Sequence, residues 1–267
     1  MLKSMDDDGR RVAFAGDRDI AVNVLAHLVA LGDVPVALIL PDQGRATHDA
    51  ALTELCEASG ACRLVLRAGR LEDAASIDAL RALHLDYLVC VHFPSLIRGP
   101  VLGACTRGAL NLHPAYLPYN RGWHTPSWAI LDETPAGASL HFMTESVDSG
   151  DVVYQERIAI DPADTAHTLY LKIKDLELRV FAEGWRRVRD GRFNRQAQVA
   201  RESTFHRRRD LFSPTVQKIE LDDVVRASDL LRRLRALTTS RLDEAAYFEA
   251  DDRRYRVQVT ITPEDVA

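Results

Sequence analysis

From residue 11 to residue 91, nearly continuous apolar runs alternate with segments whose apolar positions recur every three to four residues. RVAFAG (11–16), VPVALIL (34–40), CRLVLRA (62–68) and DYLVCV (86–91) are short runs that predict strands buried on both faces. Residues 19–31, HDAALTELCEAS (48–59) and LEDAASIDALRAL (71–83) predict amphipathic helices, the first two ended by Gly32 and Gly60. ALNL, just before His113, predicts one more strand. This alternation implies right-handed βαβ units: an α/β fold with a doubly wound, mostly parallel sheet. Ligands of such sheets bind outside the carboxyl ends of the strands.

After Pro135 the pattern changes. AGASLHFMTE (136–145) and DVVYQERIAI (151–160) alternate as strands, with ESVDSG as the connecting loop. Residues 164–191 predict a long helix, with Asp164 or Thr165 as N-cap and Gly191 as its stop. Beyond Phe193 the α/β rhythm is lost. A boundary is expected near Arg201, giving a domain over 10–200 and a small C-terminal α+β region over 201–267. In that region, residues 243–265 predict strands joined by a charged turn, suited to cleft closure or to a dimer interface.

The segment NLHPAYLPYNRGWHTP (111–126) fits neither pattern. Pro114 and Pro118 remove backbone donors and restrict the residues before them, so a shaped polar loop is expected. Asn111 and His113 lie two apart and share one side if the strand continues through them. An amide can stabilise a developing oxyanion, and an imidazole can move protons near neutral pH. Asp148, in the loop after the next strand, is the candidate carboxylate to orient that imidazole; Asp151 is a less attractive one. Each of these residues taken alone also fits an ordinary structural role.

Composition narrows the classes. A net charge of -5 gives no global basic field for nucleic acid or an anionic membrane. Cys56, Cys62, Cys90 and Cys105 show no CxxC spacing, which argues against a zinc site or a disulfide framework and suits a reducing cytoplasm. MLKSMDDDGR has no apolar core and is no signal peptide, and no run is long enough to span a bilayer. GDRDIA offers one Gly where a dinucleotide fingerprint needs three.

The segment ALNLHPAYLPYNRG, followed after a helix by SLHFMTESVDSGDVV, resembles the formyltransferase family that uses 10-formyltetrahydrofolate. That family carries Asn-x-His-Pro, then Leu-Pro with a downstream Gly, then Asp-(Ser/Thr)-Gly. The resemblance covers roughly residues 11–195 and is strongest over 110–155. It implies that Asn111, His113 and Asp148 are the catalytic Asn, His and Asp, with no metal required. It also implies a folate pterin pocket between two loops, 91–99 with His92, Phe93 and Leu96, and 143–150 with Met143, Glu145, Val147 and Gly150. The first departs from the family's usual Gly or Tyr-Gly, and Phe93 and Leu96 fit core packing as well.

Within the family, YNRGW is most similar to the sugar-nucleotide branch, which acts on amino sugars carried on dTDP or GDP. Tyr119, Asn120, Arg121, Gly122 and Trp123 would then contact the nucleotide sugar. Arg121 could equally anchor the loop through backbone carbonyls. ESTFHRRRDL (202–211), with Thr204 and His206, is similar to a segment common after the catalytic domain of sugar formyltransferases. From residue 201 onward there are 13 Lys or Arg and 13 Asp or Glu, a neutral tail ill suited to tRNA. The alternatives are another acceptor (a hydroxyornithine-type amine or methionyl-tRNA), a formyltetrahydrofolate hydrolase, or a folate- or nucleotide-binding sensor. The hydrolase is disfavoured because only ten residues precede the first strand.

Overall fold

A computed structural model of the protein describes residues 10–265; the acidic N-terminal stretch read above as no signal peptide lies outside the described residues, apart from Arg10. The strands are β1 (Val12–Gly16), β2 (Pro35–Leu40), β3 (Leu64–Arg67), β4 (Leu85–Val91), β5 (Cys105–His113), β6 (Arg121–Gly122), β7 (Ala136–Phe142), β8 (Val152–Ile158), β9 (Phe205–His206), β10 (Ala246–Ala250) and β11 (Arg253–Val257). The helices are α1 (Arg18–Ala30), α2 (Asp49–Ala58), α3 (Ala74–Ala82), α4 (Gly99–Leu102), α5 (Thr125–Leu131), α6 (Ala166–Arg189), α7 (Pro214–Gln217) and α8 (Ala227–Leu237).

Seven strands form one sheet in the order β3-β2-β1-β4-β5-β7-β8. Strands β1 to β5 pair in parallel. The order reverses between β1 and β4, which makes the doubly wound topology expected from the pattern. β5 is longer than ALNL. Its first half carries the exposed Thr106 and Arg107, and a register shift near Leu85 loosens its pairing there, so no apolar signal marks it. α3 starts later than the pattern suggests because Asp73 is extended and serves as its N-cap.

The chain divides into two compact units: residues up to His113 with Leu140–Tyr154 and Leu178–Gln196, and Pro114–Ser139 with Gln155–Glu177 and the chain from Ala197 onward. In the first unit, period-two alternation sends neighbouring residues to opposite sheet faces. Ala13, Ala15, Leu88 and Cys90 pack with Leu80 of α3 and Val101 of α4. Tyr87, one residue out of phase, meets Trp185 of α6 edge-on at 5.7 Å. Trp185 stacks in turn on Phe181. The indole N–H of Trp185 donates to Asp33 Oδ2 at 2.8 Å, and Arg189 pairs with the same carboxylate at 3.0 Å.

Thr165 is the N-cap of α6: the Thr168 N–H donates to Thr165 Oγ1, and the Thr165 N–H donates to Thr168 Oγ1. Asp164 instead accepts from the Asp161 N–H, the Thr168 hydroxyl and Lys172. Burial alone would raise its carboxyl pKa, but these bonds hold it below the ordinary value. Gly191, at φ +64°, ends α6; Arg192 N–H donates to Arg187 O and Gly191 N–H to Val188 O, the paired bonds of a Schellman stop.

In the second unit, Ala129, Ile130, Leu169, Ile173 and Ala236 bring α5, α6 and α8 together. Trp128, Leu211, Leu237 and Ala246 form a second cluster. β10 and β11 make the expected hairpin, turned at Asp251 and Asp252, both with positive φ as a type I′ turn requires.

Replacing Asp33 by Ala leaves a buried indole N–H unpaired and frees Arg189. A loss of about 1–3 kcal/mol is expected, read as a lower urea midpoint at unchanged slope.

Candidate active site

The β5 backbone stays extended through His113, so Asn111 and His113 share one side at its carboxyl end. Register puts Asn111 beside Cys90 and Leu112 beside Val91, level with the end of β4. Asp148 arrives from the loop after β7. Its φ of 49° is left-handed, a conformation Asp tolerates better than most residues.

That loop is closed on itself. The Ser149 hydroxyl donates to Ser146 O at 3.0 Å and shares a 2.9 Å hydrogen bond with the Thr144 hydroxyl. Gly150 is required by space, since a methyl group there would overlap the carbonyl oxygen of Phe142.

The three residues named from spacing converge. Asn111 Nδ2 donates to Asp148 Oδ1 at 3.1 Å. His113 Nδ1 is 3.5 Å from Asp148 Oδ2, an ion-pair distance of the kind that tightens once a substrate binds. The His113 side chain is 6% exposed and that of Asp148 11%, so the pair interacts with little screening by water.

A fourth residue belongs with them. His141, on β7, places Nε2 3.2 Å from Asn111 Nδ2 and 3.5 Å from Asp148 Oδ1. Sequence reasoning missed it, although a histidine inside a strand buried along its whole length was the available signal. The Asn111 amide thus donates one hydrogen to Asp148, and its nitrogen lies within hydrogen-bond distance of His141. Cys90 lies next to this group and is no nucleophile: burial pushes its thiol up to about 12, and the Asp148 charge adds to the rise.

Residues 39–184, more than half of the chain, match the family described as formyl transferase. The chain belongs to that family. Residues 213–263 match a second family, the N-formyltransferase dimerization C-terminal domain. A dTDP-4-amino-4,6-dideoxyglucose formyltransferase from Mycobacterium tuberculosis is 28% identical over 59% of this chain, which spans 66% of that relative's length. A methionyl-tRNA formyltransferase from Myxococcus xanthus is 30% identical over 85% of this chain and 72% of its own. A 4-N formyltransferase structure from Francisella tularensis shares the fold, with TM-score 0.79 and 19% identity over 96% of this chain and 99% of that one. An N-formyltransferase from Helicobacter canadensis, solved with folinic acid and dTDP-3-aminofucose, has TM-score 0.65 and 17% identity over 91% of this chain and 85% of that one.

Among the residues taken as folate contacts, Phe93 and Met143 pack partly buried against the sheet cluster. His92 follows β4 at φ 50°, and Leu96 is 65% exposed. The Glu145 carboxylate lies against Gly99, so the loops 91–99 and 143–150 meet. Val147 is half-buried beside Asp148.

The residues taken as sugar-nucleotide contacts gather in the second unit. Asn120, 1% exposed, is fixed internally: its N–H donates to Thr204 Oγ1 at 2.7 Å and its Nδ2 to Thr134 Oγ1 at 2.8 Å. β6 pairs with β9, Arg121 opposite Phe205 and Gly122 opposite His206. Gly122 has φ +93°, and a side chain on it would overlap His206 O. The Tyr119 hydroxyl donates to Glu202 Oε2 at 3.3 Å.

His206 stacks on Trp128 with ring centres 3.8 Å apart. Its Nε2 is 2.9 Å from Asp132 Oδ2, close but out of line for a hydrogen bond. Burial lowers the His206 pKa against the pull of Asp132. Trp123 is 37% exposed, with the Arg208 guanidinium 5.4 Å from its ring centre. Among the described residues, Arg121 Nε and Trp128 Nε1 are buried donors without a hydrogen-bond partner.

Gly150→Ala should displace the loop that carries Asp148. Overpacking of this kind costs about 1–3 kcal/mol. A lowered denaturation midpoint, together with shifted amide resonances across 143–151, would register it.

Proposed function

We propose that this protein transfers a formyl group from 10-formyltetrahydrofolate to the amino group of a nucleotide-linked amino-deoxysugar, dTDP-linked rather than GDP-linked. The convergence of His113, Asp148 and Asn111 at the end of β5, in a chain of the formyl transferase family, carries this reading. The unprotonated amine attacks the formyl carbon, and a tetrahedral centre with a negative oxygen forms. An N–H of His113, cationic at that moment, stabilises the oxygen; one such donor is worth about 2.7–4 kcal/mol of barrier. The cationic His113 gives its proton to N10 as the C–N10 bond breaks and then takes the proton of the attacking nitrogen, so the products are the formamide and tetrahydrofolate and the imidazole ends in its cationic form. Asp148 orients the imidazole and favours its charged form. Asn111 holds the other oxygen of Asp148.

The donor is supported by the folinic acid bound to the H. canadensis structure, and the acceptor by the names of the sugar N-formyltransferase relatives. In this reading residues 10–200 perform the transfer and 201–267 pair two copies, as the dimerization match suggests. The loops 91–99 and 143–150 hold the pterin. Tyr119, Arg121, Trp123 and His206 face the nucleotide sugar, with Asn120, Gly122 and Thr204 shaping their loop.

The M. xanthus relative favours a second reading, with methionyl-tRNA as acceptor. The neutral balance of 13 cations and 13 anions from residue 201 onward weighs against it. No helix among the described residues is long and apolar enough to cross a membrane.

The test is tetrahydrofolate release from 10-formyltetrahydrofolate with dTDP- and GDP-linked amino sugars, formylatable tRNA, hydroxyornithine, or no acceptor. Release with one nucleotide sugar alone, and the mass of one formyl group gained on it, is expected. Release with tRNA only, or without any acceptor, would overturn the reading. His113→Asn should lower turnover by about 10²–10⁴-fold while melting temperature and tetrahydrofolate affinity stay unchanged. Retained turnover would remove His113 from the mechanism.

A further inference from the structure

Away from the candidate active site, Cys56 and Cys62 stand on either side of the turn that joins α2 to β3. Gly60, at φ +68°, reverses the chain after the last turn of α2, and its N–H donates to Glu57 O at 2.9 Å. A left-handed stop of this kind folds the residues after it back against the last helical turn. The Arg63 N–H donates to Val36 O at 2.9 Å, so the parallel pairing of β3 with β2 reaches back past Leu64 towards Cys62 and Pro35. Cys56 arrives at the same place from the helix, with its sulfur 3.8 Å from Pro35 O. The Cys56 thiol is hydrogen-bonded to that of Cys62; burial first, and then this bond, hold its pKa above the ordinary value. Cys56 is fully buried and Cys62 half-buried, so the pair is reached through Cys62.

The surroundings give the pair a mechanical setting. β3 is an edge strand whose one neighbour in the sheet is β2, and Val65 on it is 46% exposed. At its far end Arg67 pairs with Asp49, the first residue of α2, at 3.0 Å. Helix and strand are thus clasped at one end by an ion pair and carry two thiols at the other. Cys90 and Cys105 form no such pair: they lie on adjacent strands but out of register, opposite Asn111 and Leu85.

We propose that Cys56 and Cys62 are a redox-active pair, which a low-molecular-weight disulfide converts into an intramolecular disulfide that staples the edge strand β3 to α2. The Cys62 thiolate attacks one sulfur of the small disulfide, whose S–S bond breaks, and one small thiol leaves. Cys56 then loses its proton, attacks the Cys62 sulfur of the mixed disulfide and expels the second small thiol. Two cysteine thiols are oxidised and one disulfide is reduced to two thiols, so electrons and protons balance. The burial of Cys56 makes the second step the slow one. The bond closes a short loop, and it acts by restricting opened forms of the α2–β3 edge.

The pair is independent of the formyl-transfer reading, and its test needs no turnover. Reduced, folded protein is incubated with oxidised glutathione, and its intact mass and a non-reducing digest are read. Cleavage after Glu57 separates the two cysteines, so their bond appears as joined peptides. The mass should fall by about 2 Da, with Cys56 and Cys62 joined, and dithiothreitol should reverse both signals. Backbone hydrogen exchange over residues 57–67 should be slower in the oxidised form. An unchanged mass, a glutathione adduct that persists on Cys62, a bond to Cys90 or Cys105, or a bond formed only in denaturant would each overturn the proposal. Unslowed exchange would remove the staple. Cys56→Ser should stop at the adduct on Cys62, and Cys62→Ala should leave Cys56 unreacted while folded. A Cys62→Ala protein that reacts as fast as the parent would also overturn it. If either variant fails to fold, the digest of the unaltered chain decides.

Discussion

One carboxylate organises the centre. Asp148 is the point at which Asn111 and His113 from β5 and His141 from β7 meet, with each of its oxygens engaged. A carboxylate so little exposed persists only if hydrogen bonds and opposite charge compensate its lost hydration. The surrounding geometry meets that demand. β5 must stay extended to His113, its register must align with the end of β4, and the loop after β7 must accept a left-handed residue. Removing any of these would leave a charge stranded rather than a side chain slightly misplaced.

The second unit solves a different problem. A proline-rich loop has few backbone bonds of its own, and residues 118–123 obtain several from residues 204–206. The Arg121 and Trp123 N–H groups donate to the carbonyls of Thr204 and His206, and the Asn120 N–H donates to the Thr204 hydroxyl. The two segments thus support each other as the paired strands β6 and β9.

Much of this was legible in the sequence, for identifiable reasons. Strands buried on both faces leave continuous apolar runs, so β1, β2 and β4 were plain, and alternation of type fixed the sheet class. Asn111 and His113 were legible because period two survives to the end of β5. Asp148 was legible only as an aspartate among small residues; its left-handed backbone leaves no pattern. His141 was hidden because its contacts are to a carbonyl one residue on and an amide thirty residues back. β6 and β9 are two residues each, too short to carry a period. The first half of β5 was masked by exposed Thr106 and Arg107, whose register depends on pairing rather than on burial.

Cys90 carries a final consequence. Its neighbour across the sheet is Asn111, and burial, with a smaller push from the Asp148 charge, raises its thiol to about 12. Only a thiolate is readily oxidised or alkylated, so this sulfur stays chemically silent at physiological pH. The thiol beside Asn111 thus adds bulk to the end of β4 without adding a nucleophile to the cluster around Asp148.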